Sequence, residues 1–154
     1  LEHAEASGHK TDLALLRKMD VRYCTGCLTC GDIGACPIAD DMPSLIAKME
    51  ASDLIIFGSP NYYNNVSGMM KVFFDRLNVL YRTDRLKGKK AIVVFAGGEV
   101  ETIDKAIVPV RSVTNSFGME IVGSLYLRGE DCRDTEKNID SVKKIDEFAK
   151  IYLS

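Results

Sequence analysis

The sequence contains no run of basic residues and no apolar stretch long enough to span a membrane. Its 20 Lys and Arg residues are balanced by 22 Asp and Glu, which leaves a net charge of −2. It therefore lacks the positive patch that nucleic-acid binding requires. The longest apolar stretches lie around Leu54–Phe57 and Ala91–Ala96, far short of the about 20 residues that cross a bilayer. These absences argue against nucleic-acid-binding and membrane-spanning proteins.

Internal repeats, low-complexity tracts and linkers are also absent. The 154 residues suit one domain with a hydrophobic core, so residues 1–154 are interpreted as a single domain. No side chain stands out as a catalytic acid, base or nucleophile. The two histidines, His3 and His9, fall on an N-terminal helical segment or its exit, and we expect them to be solvated. We expect a cytoplasmic setting, which keeps thiols reduced.

What the sequence does contain is a compact run of cysteines. Cys24, Cys27 and Cys30 are each separated by two residues, and Cys36 follows before a proline. Thiolates at this spacing on a tight loop can converge on one metal centre, so the sharpest prediction is one 4Fe–4S cluster held by all four. Two other interpretations stay open: metal-free thiols, reduced or in a disulfide, and a structural zinc site. The fifth cysteine, Cys132, is interpreted as an incidental loop thiol.

Short apolar runs alternate with segments of helical period along the chain. This pattern predicts a parallel sheet covered by helices on both faces. The predicted strands are Asp12–Arg17, Asp53–Gly58, Lys90–Ala96 and Glu120–Leu127. The predicted helices are Asp40–Ala51, a helix capped by Ser67, Glu101–Phe117 with a kink or break at Pro109, and Thr135–Leu153.

The N-terminal segment Leu1–Lys10 has the pattern of the end of a helix that stops near Gly8. A doubly wound domain needs a strand and a turn before such a helix. We therefore expect the first strand and the loop after it to be missing from this sequence.

Two loops at predicted strand ends carry candidate cofactor-binding residues, because ligands of open parallel sheets bind outside the carboxyl ends of the strands. One loop offers two adjacent aromatic rings for stacking on a flat redox cofactor, and amides for hydrogen bonds. Its residues are Ser59, Pro60, Asn61, Tyr62, Tyr63, Asn64 and Asn65. The other is Ala96, Gly97 and Gly98, where missing side chains expose the backbone. Each loop alone is equally consistent with an ordinary surface loop. The cysteine run follows the predicted strand Asp12–Arg17, so we expect it at the same edge.

Together these residues resemble the NADPH-dependent FMN reductase family of flavodoxin-like proteins, particularly its iron–sulfur flavoprotein branch. The resemblance covers nearly the whole chain. It rests on the cysteine run with Asp40-Asp41-Met42, on residues 53–62 and 67–76, and on residues 96–98 with the Gly118-Met119-Glu120 approach to the last strand.

The resemblance implies a five-stranded sheet of order 2-1-3-4-5 that binds one FMN. It places the isoalloxazine between Ser59–Asn64 and Ala96–Gly98, with Tyr62 at the aromatic position of the family's P-x-Y motif. The implied cluster ligands are Cys24, Cys27, Cys30 and Cys36. No phosphate ligand is implied, because the family's phosphate-binding loop follows the strand that we expect to be missing.

The implied function is an FMN-dependent oxidoreductase that moves electrons between NAD(P)H, or a ferredoxin-like donor, and an acceptor. The alternatives are a cluster-free NAD(P)H:quinone or azo-type reductase, a pure electron carrier, and a zinc-stapled module with a vestigial flavin site. The expected partners are a small-molecule or protein redox partner and further copies of the chain, as a homodimer or homotetramer. No catalytic side chain is assigned, because the flavin does the chemistry.

Overall fold

The computed structural model describes residues 1–98, 103–129 and 139–153. These residues form a parallel sheet of three strands, β1 (Leu54–Pro60), β2 (Lys90–Gly97) and β3 (Glu120–Arg128), in the order β1-β2-β3. In the register, Lys90 pairs with Leu54 on one side and with Glu120 on the other. The α/β class and three of the four predicted strands are therefore confirmed.

The fourth predicted strand, Asp12–Arg17, is wrong. Residues 12–15 have no regular structure, and Leu16–Lys18 is a short 3-10 helix. In the expected order 2-1-3-4-5 this strand would pair only with the first strand. Among the described residues no strand lies beyond β1, so the backbone of this segment has no neighbouring strand to bond to.

The helices of the described residues are α1 (Glu2–Ala6), α2 (Thr29–Ile33), α3 (Met42–Ala51), α4 (Gly68–Arg76), α5 (Ile103–Ala106), α6 (Val108–Ser116) and α7 (Ile139–Tyr152). A second 3-10 helix, Leu77–Leu80, continues α4. The expected end of an N-terminal helix is confirmed by α1, which is followed by Gly8 with φ +86°. The sequence does not predict α2, a short helix inside the cysteine loop.

The predicted helix Glu101–Phe117 is divided into α5 and α6. The break near Pro109 is confirmed, but it precedes the proline, which lies in the first turn of α6. At that position the missing N–H of proline leaves no helical hydrogen bond unmade. The first two residues of this predicted helix, the start of the last one at 135–138, and Cys132 lie outside the described residues.

Alternate residues of β2 lie on opposite faces of the sheet. On one face, three of them join the main core cluster with side chains of α3, α4 and α6: Ala91, Val93 and Phe95. The intervening Ile92 pairs with Gly123 of β3. A β-carbon at Gly123 would lie 2.9 Å from Phe148 and 3.0 Å from Tyr152 of α7, so α7 covers the second face. No helix within the described ranges has the length and apolar character needed to cross a membrane.

Candidate functional site

The two predicted cofactor loops lie side by side at the carboxyl edge of the sheet. Pro60 pairs with Ala96 in the β1–β2 register, and the N–H of Asn61 donates to the carbonyl of Ala96 at 2.7 Å. The N–H of Gly129, just after β3, donates to the carbonyl of Gly97 at 3.0 Å. The structure therefore brings the loop from Ser59 to Asn64 together with Ala96–Gly98, and the end of β3 adjoins them.

A pair of serines fastens the first loop to α4. Ser59 is only 8% exposed. Its hydroxyl donates to the carbonyl of Pro60 at 2.9 Å and accepts the N–H of Ser67 at 2.9 Å. The hydroxyl of Ser67 in turn accepts the N–H of Met70 at 3.2 Å, which caps α4 as the sequence predicts. Ser59 thus holds the loop in place from beneath and does not face solvent.

The tip of this loop is a tight turn that presents two tyrosines to solvent. Tyr62 and Asn65 exchange both backbone hydrogen bonds at 3.0 Å. The residues between them, Tyr63 and Asn64, have φ of 54° and 59°, as in a type I′ turn. Asparagine tolerates this region, whereas other L-residues lose about 1–2 kcal/mol in it. Tyr62 is 59% exposed and the Tyr63 side chain is fully exposed, so packing does not compensate for the conformation of Tyr63.

Tyr126 of β3 is a site residue that the sequence reasoning missed. It is 8% exposed, and its hydroxyl accepts a long hydrogen bond of 3.5 Å from Nδ2 of Asn61. A β-carbon at Gly97 would lie 2.7 Å from that hydroxyl and 3.1 Å from the β-carbon of Asn61. The absence of a side chain at Gly97 is what lets the three residues meet. A signal was available, because Tyr126 carries a hydroxyl one residue before the end of the predicted strand Glu120–Leu127.

These residues fit the ring system of a flat cofactor. The turn offers exposed aromatic faces at Tyr62 and Tyr63. The amide side chains of Asn61 and Asn64 lie on the same loop. Beside them lies the backbone of Gly97 and Gly98, which carries no side chain.

The cysteine loop carries four free thiols. Cys24 and Cys27 are exposed, and Cys30 and Cys36 are half-buried. No three His, Cys, Asp or Glu side chains within the described ranges lie close enough to hold a metal ion, so the structure does not bring the four predicted ligands to one point. The donor set itself, four thiols in one short loop, fits an iron–sulfur cluster or zinc.

Every thiol of the loop receives hydrogen bonds. Three of them accept an N–H at 3.4 Å: Cys24 from Gly26, Cys30 from the side chain of Asn78, and Cys36 from the guanidinium of Arg76. Hydrogen bonds from the side chain and backbone of Thr29 hold the pKa of Cys27 below its ordinary value. The lowered pKa of Cys27 favours its thiolate, which is the form that binds metals.

A buried ion pair lies where the cysteine loop meets α4. Arg76 Nη1 donates to Asp40 Oδ2, and Nη2 donates to Asp40 Oδ1 at 3.1 Å. Burial opposes the charge of Asp40, but hydrogen bonds from Arg76 and from the N–H groups of Arg22 and Met42 outweigh it and lower the pKa of Asp40. The hydrogen bond to Asp40 raises the pKa of Arg76 despite burial. Both groups are therefore ionised at neutral pH.

The two candidate sites contact opposite ends of α4. The loop that begins at Ser59 enters α4 at Ser67, whereas the cysteine loop contacts Arg76 and Asn78 at the other end. A helix of this length spans roughly 13 Å. The expected position of the cysteine loop beside the cofactor loops is therefore not met within one chain. That expectation depended on the strand Asp12–Arg17, which does not form.

Known proteins with similar sequences identify the family of this chain. Residues 1–131 match the NADPH-dependent FMN reductase family. An iron-sulfur flavoprotein of Archaeoglobus fulgidus is 41% identical over 99 residues, 63% of this chain and 45% of the relative. An iron-sulfur flavoprotein of Methanosarcina thermophila is 31% identical over 153 residues, 97% of this chain and 80% of the relative. This chain spans about half the length of several curated relatives.

A solved structure shows the same fold. An azoreductase of Bacillus anthracis superposes with a TM-score of 0.63 at 18% identity, covering 97% of this chain and 84% of that one. The likeness supports the fold alone, since the identity is low.

Proposed function

The chain belongs to the NADPH-dependent FMN reductase family, within its iron–sulfur flavoprotein branch, and on that basis we propose that it is an FMN-dependent oxidoreductase. It passes electrons between NAD(P)H, or a ferredoxin-like donor, and a small-molecule or protein acceptor. The observation that carries the proposal is the placement of the exposed Tyr62–Tyr63 turn directly beside Ala96–Gly98 at the carboxyl edge of the sheet.

FMN, when bound, supplies the electron-transfer chemistry. In this proposal Tyr62 and Tyr63 bind the faces or edge of its ring system, because their rings are exposed on a fixed turn. The amides of Asn61 and Asn64 bind its polar atoms, and Gly97 and Gly98 offer backbone groups. Pro60 and Ala96 hold the two loops in register.

Cys24, Cys27, Cys30 and Cys36 would hold a 4Fe–4S cluster. Five relatives are named iron-sulfur flavoproteins. In this chain the four thiols are accessible or half-buried, and each accepts hydrogen bonds. When bound, such a cluster supplies one-electron steps beside the two-electron chemistry of a flavin.

A cluster-free NAD(P)H:quinone or azo-type reductase of the same fold is the second candidate, and a pure electron carrier is the third. The observation that favours a cluster-free protein is that the four thiols do not converge within the described structure. In that case the thiols stay metal-free, and the flavin alone carries the electrons.

An optical spectrum of protein purified without oxygen separates these candidates. Flavin bands with an added broad absorption in the visible blue support the cluster-bearing oxidoreductase, and flavin bands alone support the cluster-free reductase. The absence of flavin after incubation with FMN would overturn the proposal. Oxidation of NAD(P)H that continues only with a quinone or azo acceptor identifies a reductase. If the protein is instead reduced once, in proportion to its amount, and shows no turnover of an acceptor, it is an electron carrier.

Iron and sulfide analysis after anaerobic reconstitution tests the metal site. Wild-type protein should take up about four irons per chain, and Cys27→Ser should lose most of them. Cys132→Ser is the matched control, because Cys132 lies outside the run and its replacement should leave the iron content unchanged. Four titratable thiols and no bound iron in the wild type would favour the cluster-free reductase.

We further propose a cytoplasmic homodimer or homotetramer. The cysteine loop is separated from the cofactor loops along α4, which supports an assembly. In an assembly, the cysteine loop of one subunit can lie beside the flavin of its neighbour. Light scattering of the flavin-loaded protein measures the number of subunits directly. A monomer at micromolar concentration would contradict this part of the proposal.

A further inference from the structure

Arg76 and Asp40 form an ion pair unlike the others in the described residues. Their side chains are 1% and 0% exposed, whereas the side chains of the other ion pairs are 31% to 83% exposed. A buried charge pair loses so much hydration that apolar side chains of similar size often stabilise a fold as well. Stability alone therefore does not explain why α4 ends in a buried arginine.

The guanidinium contacts both ends of the cysteine loop. Nη1 donates to the carbonyl of Arg22 at 2.7 Å, two residues before Cys24, as well as to Asp40. Nη2 donates to Asp40 and to the sulfur of Cys36 at 3.4 Å. Both ends of the cysteine loop thus contact the same guanidinium. Each of its two Nη groups donates to two acceptors.

Asp40 closes the same connection through the backbone. Its Oδ2 accepts the N–H of Arg22 at 3.0 Å, and its Oδ1 accepts the N–H of Met42 at 3.1 Å. The Nε–H of Arg76 is buried and has no acceptor among the described residues. Through the two hydrogen bonds from backbone N–H groups, Asp40 joins the backbone before the cysteine run to the backbone after it.

We propose that Arg76 is the positioning residue of the cysteine loop, holding its two ends together on Asp40 and giving the sulfur of Cys36 a fixed, cationic hydrogen-bond donor. This role requires the planar guanidinium of arginine, because a lysine carries the same charge but cannot donate to all these acceptors at once. The effect of Arg76 on the reduction potential of a bound cluster rests on the proposed function. Its role in holding the loop ends together does not.

Hydrogen exchange of the metal-free, reduced protein tests the loop directly. In Arg76→Lys, the backbone amides of Arg22 and Met42 should exchange about tenfold faster or more, because the opening of the loop then costs less free energy. Cleavage of the segment 23–39 by an unspecific protease should accelerate in parallel. Arg85→Lys is the matched control, because it is the same substitution at an arginine that is 43% exposed and pairs with Glu50, outside the cysteine loop. It should behave as the wild type.

A double variant separates loop positioning from loss of the fold. Asp40→Leu with Arg76→Met replaces the pair with apolar side chains, so the protein should keep its cooperative unfolding transition while residues 23–39 become protease-sensitive. Exchange and cleavage rates in Arg76→Lys and in the double variant that equal those of the wild type would overturn the inference, whether or not the protein binds iron.

The reduction potential tests the contact with Cys36. An N–H donor to a cluster sulfur raises the potential, because it stabilises the added negative charge. In reconstituted protein, Arg76→Lys should therefore have a lower midpoint potential than the wild type and the control Arg85→Lys. An unchanged potential in Arg76→Lys with full iron content would overturn this half. If the wild type binds no iron but Arg76→Lys shows the expected faster exchange, the cluster proposal is overturned and the positioning role is supported.

Discussion

The hydroxyl of Tyr126 occupies the space into which a side chain at residue 97 would project. A β-carbon on Gly97 would lie 2.7 Å from that oxygen and 3.1 Å from the β-carbon of Asn61. Tyr126 is itself almost fully buried and belongs to the core cluster. The glycine is therefore required first by the protein's own packing, and only then by any ligand that approaches its backbone.

Replacing Gly97 with valine should both destabilise the protein and weaken flavin retention. Overpacking of this kind costs about 1–3 kcal/mol, and a displaced Tyr126 would also move Asn61. Thermal unfolding and FMN titration measure the two effects. Gly97→Ala should also lose stability, and adding Tyr126→Phe, which removes the clashing oxygen, should restore much of that loss.

The control for this substitution is Gly58→Ala. Gly58 lies on the neighbouring strand β1, and a β-carbon there would meet nothing within 4 Å. It should change neither measurement appreciably. If Gly97→Val binds FMN as tightly as the wild type, residues 96–98 do not belong to the flavin site.

Ser59→Ala should lower stability and loosen the loop from Ser59 to Asn64. The substitution leaves the N–H of Ser67, which donates to Ser59 at 2.9 Å, buried without its acceptor, at a cost of about 1–3 kcal/mol. Chemical denaturation measures the loss, and FMN affinity should fall with it because the loop ends are no longer joined. Ser112→Ala is the control, since Ser112 is exposed and its hydroxyl donates to the carbonyl of Val108 in its own helix. Equal stability of Ser59→Ala and Ser112→Ala would contradict the role given to Ser59.

The sequence predicts the elements whose signals are local. The apolar runs at Lys90–Ala96 and Glu120–Leu127 become β2 and β3, and each has a parallel partner strand within the described residues. The segment Asp12–Arg17 has a similar composition but does not form a strand, since pairing requires a partner strand that composition does not reveal.

The same distinction applies to the candidate site. The loops after β1 and β2 were found because strand ends are recognisable from sequence. Tyr126 and Arg76 were missed because their roles depend on contacts with residues far along the chain, at Gly97 and Asp40. No spacing rule connects such pairs.

Tyr63→Asn should separate binding from stability. The backbone of Tyr63 has φ of 54°, which asparagine tolerates better, and the exposed ring contributes no packing. The metal-free, flavin-free protein should therefore be unchanged or up to about 1 kcal/mol more stable. FMN affinity should fall several-fold if the ring contacts the flavin. Tyr81→Asn, an exposed tyrosine outside both loops, should leave affinity unchanged. Equal affinity in both variants would remove Tyr63 from the site.

The buried pair of Asp40 and Arg76 should make the free energy of unfolding fall at acidic pH. The pKa of Asp40 is lower in the folded protein than in the unfolded chain, so the stabilisation is fully present above the unfolded value of about 3.9. It is lost as the pH falls through the folded pKa. Asp40→Asn leaves Arg76 buried without a counter-charge, which costs about 3–5 kcal/mol at neutral pH.

Urea unfolding of the metal-free protein, repeated from about pH 7 downward, measures the free energy of unfolding of the wild type and of Asp40→Asn. The difference in free energy of unfolding between wild type and Asp40→Asn should be constant near neutrality. It should begin to shrink near about pH 4, because the Asp40 carboxylate of the unfolded chain then gains a proton before that of the folded protein does. Asp12→Asn is the control, since Asp12 is 58% exposed and pairs with an exposed lysine, so it should cost at most about 1 kcal/mol. A difference for Asp40→Asn as small as that of the control would mean that the ionised pair does not stabilise the fold.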